Sequence, residues 1–155
     1  MIDLTGQVAL VTGSSRGIGQ ACALKLAAAG ADIVLNYVTS QSAAMRVAEQ
    51  IDCLGRRVAV VKADVSEVED VEEMLGFIEQ SFGRLNIVVS NAATGGFRSL
   101  LDADSRHFDA AMHTNVRPLI YLVQKSLPLL QQGPGRGKVV AISSHGSMMA
   151  LPSYG

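Results

Sequence analysis

Five short apolar runs, Val8–Thr12, Asp32–Tyr37, Val58–Lys62, Ile87–Ser90 and Lys138–Ser143, are spaced along the chain with a helix-length stretch between each pair. The stretches Gln20–Ala29, Ser42–Leu54, Val68–Phe82 and the long Ser105–Leu130 region carry helical character. The runs are nearly continuous in Val, Ile and Leu, without the alternation of a strand that has one wet face. Each is therefore predicted to be buried on both sides, in a parallel sheet with helices packed on either face. Gly30, Gly55, Gly83 and Gly133 punctuate the predicted helix ends, and Gly133-Pro134-Gly135-Arg136-Gly137 reads as a turn before the fifth run. No repeat, low-complexity tract or linker interrupts residues 1–155. The prediction is an α/β, doubly wound, Rossmann-type domain with strand order 3-2-1-4-5 and a ligand crevice at the carboxyl ends of the strands.

Between the first strand and first helix lies Thr12-Gly13-Ser14-Ser15-Arg16-Gly17-Ile18-Gly19. A glycine turn in that position lets the backbone approach a pyrophosphate. The first turn of the helix then offers unpaired N–H groups and a positive dipole end to the anion. The glycine spacing is G-x-x-x-G-x-G, and its meaning comes from the flanking strand and helix. Folds that prefer NAD place an acidic residue near the end of the second strand, against the ribose 2′-hydroxyl. Here that stretch reads Leu35-Asn36-Tyr37-Val38-Thr39-Ser40, with no carboxylate to repel a 2′-phosphate. Arg16 supplies a planar cation for such a phosphate, and Thr39 and Ser40 add hydroxyls beside Tyr37. NADPH (NADP+) is the predicted cofactor.

Thirteen Lys and Arg nearly balance fourteen Asp and Glu, for a net charge of −1, so no electrostatic footprint for nucleic acid or an anionic membrane is present. Every apolar run is far shorter than the ~20 residues that span a bilayer, and Met1-Ile2-Asp3-Leu4-Thr5 lacks the character of a signal peptide. Cys22 and Cys53 fall in separate predicted helices without Cys-x-x-Cys spacing, and are expected as two buried thiols in a reducing cytoplasm. His107 and His113 lie six apart and no Cys or carboxylate cluster joins them or His145, so no metal site is expected. Glu67, Glu69, Asp70, Glu72 and Glu73 give the Val68–Phe82 helix an acidic start that complements its dipole. Lys125 is expected in solvent or at an interface.

Together these landmarks resemble the short-chain dehydrogenase/reductase family over the whole chain, with the motifs in the family's order. Thr12–Gly19 matches its cofactor signature, and Asp64-Val65 matches the pair that contacts adenine. Ser90-Asn91-Ala92-Ala93 stands where the family usually has Asn-Asn-Ala-Gly; Asn91 keeps its amide while Ser90 and Ala93 depart from the pattern. Asn115-Val116 matches the helix position of the active-site Asn, which holds a water relay, and Ser143-Ser144 the strand end where the catalytic Ser is found. The resemblance implies a Tyr hydroxyl that polarises the substrate oxygen, its acidity raised by a following Lys.

The family's ketone-reducing members, such as 3-oxoacyl-acyl-carrier-protein reductases, place that Tyr thirteen residues after the Ser. Enoyl-acyl-carrier-protein reductases place it three residues earlier, with six residues between Tyr and Lys. Counted from Ser144, the enoyl position is Tyr154, and the ketoreductase position falls beyond Gly155. The run Ala150-Leu151-Pro152-Ser153-Tyr154 resembles the enoyl reductase loop, and Thr94-Gly95-Gly96-Phe97 resembles NADPH-dependent enoyl reductases. The resemblance thus implies reduction of 2-enoyl thioesters, free or bound to acyl carrier protein, in fatty acid synthesis, with Tyr154, Ser144 and Asn115 as catalytic residues. Met148 and Met149 then line an acyl channel or make plain loop contacts. The alternatives are a 3-oxoacyl-carrier-protein reductase or another ketone or alcohol dehydrogenase, and a dinucleotide-binding module without turnover. The family's Lys, last two strands and substrate loop have no counterpart up to Gly155. The sequence is therefore expected to be the N-terminal part of a ~250-residue domain, tetrameric when whole; ending at Gly155 would leave the fifth strand an unprotected edge.

Overall fold

In the computed structural model, which describes residues 2–96, 98–132 and 136–149, strand β1 (Val8–Val11) lies at the middle of a five-stranded parallel sheet. It pairs on one side with β2 (Asp32–Tyr37), Val8 opposite Asp32, and on the other with β4 (Ile87–Ser90), Ala9 opposite Ile87. Outside these lie β3 (Val58–Lys62), Ile33 opposite Val58, and β5 (Lys138–Ala141), Ile87 opposite Lys138. The resulting order is β3-β2-β1-β4-β5.

Successive residues of each strand feed opposite cores, as the period of two requires. Val8, Leu10, Val34 and Val88 face helix α3 (Val68–Phe82), through Val71, Met74 and Ile78, and helix α5 (Arg117–Gln132), through Leu122 and Leu129. Ala9, Val11, Ile33, Leu35 and Val89 face helix α1 (Gly17–Ala28), through Ala23 and Ala27, and helix α2 (Gln41–Asp52), through Val47 and Ile51. The alanines of α1 leave little side chain between helix and sheet, so the helix start lies close under the glycine turn. α3 stops at Gly83, whose φ of +68° is the left-handed conformation that closes a helix end.

Several boundaries differ from the sequence reading. β1 ends at Val11 because Thr12 turns its hydroxyl into the neighbouring loop, and α1 begins at Gly17, so the glycine turn runs into its first turn. β5 ends at Ala141; Ile142 N–H still reaches Ser90 O at 2.9 Å, and the chain then departs from the sheet. Cys22 is half-buried, and Cys53 is exposed at the end of α2, so the expectation of two buried thiols fails for Cys53. The Ser105–Leu130 region divides into helix α4 (Ser105–Ala111), a π-helical turn (Met112–Val116) and α5. Arg117 N–H bonds Met112 O in the wider π pattern. Pro118 follows directly; it has no N–H to give the Thr114 carbonyl, and its ring needs room there. Gly133–Gly135 lie outside the described residues.

Candidate active site

A cleft of about 590 Å³ opens at the carboxyl ends of β1, β2 and β4. Of the residues singled out by sequence, Gly13, Ser15, Arg16, Gly17, Ile18, Tyr37, Thr39, Ser40, Asp64, Val65, Asn91, Ala92 and Ala93 line it. Thr12, Ser14 and Gly19 do not. They are buried behind the turn and hold its shape.

Thr12 Oγ1 accepts from Asn91 N–H at 2.9 Å and Ala92 N–H at 3.0 Å, and donates to Val89 O at 3.3 Å. Asn91 answers with its amide, which donates to the carbonyls of Thr12 at 2.8 Å and Gly13 at 3.2 Å. The β1 and β4 ends are thereby locked together. A Cβ on Gly13 would lie 2.8 Å from the Ala92 Cα, and one on Gly19 2.5 Å from Asn91 Nδ2, so both approaches require glycine.

Asn36, absent from the sequence-derived candidates, is fully buried in β2. Its Oδ1 accepts from Gly13 N–H at 3.1 Å, its Nδ2 donates to Ala63 O at 2.8 Å, and its backbone N–H reaches Ser14 Oγ at 3.0 Å. The signal was available: a lone amide inside an apolar strand needs partners to be buried.

The start of α1 suits an anion. No side chain caps it, no acidic residue lies in its first turn, and its first N–H groups have no acceptor within the helix. Gly17 has φ +60° and borders the cleft with nothing within 4 Å of where a Cβ would stand, so a side chain there would enter the space a pyrophosphate needs. At the end of β2 the lining is Tyr37, Val38, Thr39 and Ser40, with exposed Arg16 across from them. Asp64 lines the cleft but is locally committed: its Oδ1 accepts from Ser66 N–H at 3.0 Å and Ser66 Oγ at 2.5 Å, while its own N–H donates to Asp70 at 2.7 Å. Asp70 thus does more than complement the α3 dipole, and Glu72 pairs with Lys125 at 2.5 Å. These residues fit a phosphorylated dinucleotide.

On the β4 side, Asn115 in the π turn holds Thr94 by both backbone groups: Oδ1 accepts from Thr94 N–H and Nδ2 donates to Thr94 O, each at 2.8 Å. Thr114, also missed, lines the cleft itself. Ser144 is exposed past β5, and its Oγ accepts from Gly146 N–H at 3.1 Å in a short 3-10 turn, His145–Ser147. Tyr154 and Phe97 lie outside the described residues. Among the described residues no group of His, Cys, Asp and Glu is arranged for a metal, and no helix is long and apolar enough to cross a membrane. His107 instead completes the N-terminal capping box of α4 with Asp104.

Comparison with known proteins agrees with this geometry. A 1-cyclohexenylcarbonyl-CoA reductase of Streptomyces collinus is 37% identical over 148 residues, covering 96% of this chain and 52% of the relative. A hydroxynaphthalene reductase of Aspergillus fumigatus is 34% identical over 153 residues, covering 99% of this chain and 55% of the relative. The chain spans about half the length of these curated relatives. A short-chain dehydrogenase of Burkholderia cenocepacia, solved in complex with NADP, superposes with a TM-score of 0.89 at 36% identity, covering 97% of this chain and 60% of that one. The short chain dehydrogenase family model matches residues 7–155, and the chain belongs to that family of nicotinamide-dinucleotide oxidoreductases.

Proposed function

We propose that this chain forms the cofactor-binding part of an NADPH-dependent reductase of 2-enoyl thioesters, with Tyr154, Ser144 and Asn115 in the catalytic roles. The observation that carries the substrate reading is the ten-residue step from Ser144 to Tyr154, shorter than the ketoreductase spacing. The similarity to a 1-cyclohexenylcarbonyl-CoA reductase supports it, since that substrate name describes a double bond conjugated to a thioester carbonyl. An acyl-carrier-protein partner, a tetrameric assembly and a place in fatty acid synthesis belong to the same proposal.

Bound NADPH supplies the hydride that adds to the β-carbon. The chain's task is to accommodate the negative charge that then builds on the thioester carbonyl oxygen. The Tyr154 hydroxyl donates a hydrogen bond to that oxygen, and the Ser144 hydroxyl, just past β5, is a second donor. Asn115 fixes the loop after β4 through Thr94, which keeps the mouth of the cleft in one shape. Arg16 and the first turn of α1 take the phosphates.

A second reading, reduction of a ketone, is favoured by the similarity to a hydroxynaphthalene reductase. Following NADPH oxidation by the whole protein with crotonyl-CoA and with acetoacetyl-CoA separates the two. The enoyl reading predicts a kcat/KM at least about tenfold higher for crotonyl-CoA, and a loss of roughly a hundredfold or more in Tyr154→Phe. Turnover of acetoacetyl-CoA without crotonyl-CoA reduction would establish the second reading.

A further inference from the structure

We propose that His113 is a positioning residue, tying the back of the π turn that carries Asn115 to the start of α3 in its neutral, Nε2-protonated form. The observations are directional. Arg117 Nη1 lies 2.8 Å from His113 Nδ1, and a guanidinium can only donate, so Nδ1 is the acceptor and carries no proton. The remaining ring nitrogen, Nε2, then bears the hydrogen, and it faces Glu67 Oε1 at 3.4 Å. Arginine, imidazole and carboxylate form one chain of consistent polarity from α5, across the π turn, to the residue that precedes α3.

The location gives that chain its consequence. Thr114 borders the dinucleotide cleft and Asn115 grips Thr94, while His113, their neighbour, reaches the opposite way toward α3. A π turn has weaker intrinsic cohesion than an α-helix and recurs at functional sites. Here a side-chain chain spans it, from residue 113 to residue 117. Glu67 also follows Asp64-Val65, which line the same cleft. His113 therefore joins the loop on the adenine side of the cleft to the turn on its reaction side. For the catalytic consequence this rests on the reductase reading above; the structural tie does not.

The charged groups facing His113 are Arg117 at the start of α5, Asp109 one turn earlier in the same surface hollow, and Glu67 just ahead of α3. Removing the imidazole takes away both the acceptor for Arg117 and the tie to Glu67. The π turn should then loosen, and with it the Asn115 grip on Thr94.

The exchange rate of the Thr94 amide, corrected for intrinsic exchange, reports that grip directly, because Thr94 is exposed and its N–H donates to Asn115. In the full chain, His113→Ala should lower Thr94 protection about tenfold. His113→Gln, whose amide can accept from Arg117 and donate to Glu67, should keep the protection. In turnover, His113→Ala should lower kcat about tenfold while KM for NADPH stays within about twofold. Unchanged Thr94 protection in His113→Ala, or protection in His113→Gln as low as in His113→Ala, would overturn the proposal. Absence of thioester reduction in every form would defeat the reductase reading and leave the Thr94 result to decide this one.

Discussion

Asn36 shows how much of the cleft depends on one buried amide. It bonds the glycine turn on one side and the end of β3 on the other, so the turn cannot shift without breaking a buried hydrogen bond. Asn36→Ala leaves Gly13 N–H and Ala63 O without these partners. With about 1–3 kcal/mol for each unsatisfied buried group, urea unfolding should show a loss of about 2–6 kcal/mol together with weaker dinucleotide binding. A change within about 0.5 kcal/mol would mean water replaces the amide. The glycine turn itself was legible in the sequence because its meaning is local: a strand, a left-handed Gly17 and a helix start adjoin one another. The role of Asn36 was not, because its partner at Gly13 is far along the chain and becomes a neighbour only through β1–β2 pairing. Thr12, Ser14 and Gly19 belong to the same lesson; their side of the turn is fixed by long-range packing, and it faces away from the cleft.

At the scale of elements, the periodic segments were readable to within a few residues, and β2, β3, β4 and α3 to the residue. Burial on both faces makes a strand nearly pure in Val, Ile and Leu, which is hard to mistake. The π turn was not readable, since its widened hydrogen-bond pattern leaves the apolar spacing of Ser105–Gln132 largely intact; Pro118 is its one sequence mark. The start of the same long helix carries a pH prediction. The Arg106 guanidinium beside Asp104 holds this exposed carboxyl below its ordinary value of 3.8; desolvation opposes it, and the His107 N–H and imidazole add to the lowering. A group whose folded value is depressed contributes stability above its unfolded value and loses it as pH falls through the folded one. The amides of His107 and Phe108 should therefore exchange faster, relative to intrinsic rates, as pH falls below about 4. Asp104→Asn should keep the cap and abolish that dependence; an identical acid response in this variant would show that other groups control the helix start.

At the scale of the molecule, the five strands, the two cores and the cleft at the strand ends follow from one arrangement among the described residues. Right-handed parallel crossovers place α1 and α2 on one face, α3 and α5 on the other, and gather the loops at the carboxyl ends of the strands. That topology followed from the order of segments, and membership of the short chain dehydrogenase family agrees with it. The proposed preference for NADPH rests on what lines one end of the cleft: two hydroxyl residues, Thr39 and Ser40, and the Arg16 guanidinium, with no carboxylate at the end of β2. The most direct test is calorimetric titration of the protein with NADPH and with NADH, repeated in Arg16→Ala. The account predicts at least tenfold tighter binding of NADPH, a loss of about tenfold, or about 1.4 kcal/mol, for NADPH in the variant, and unchanged NADH binding. Equal affinity for the two dinucleotides, or an Arg16→Ala variant that binds NADPH as well as the parent, would contradict it.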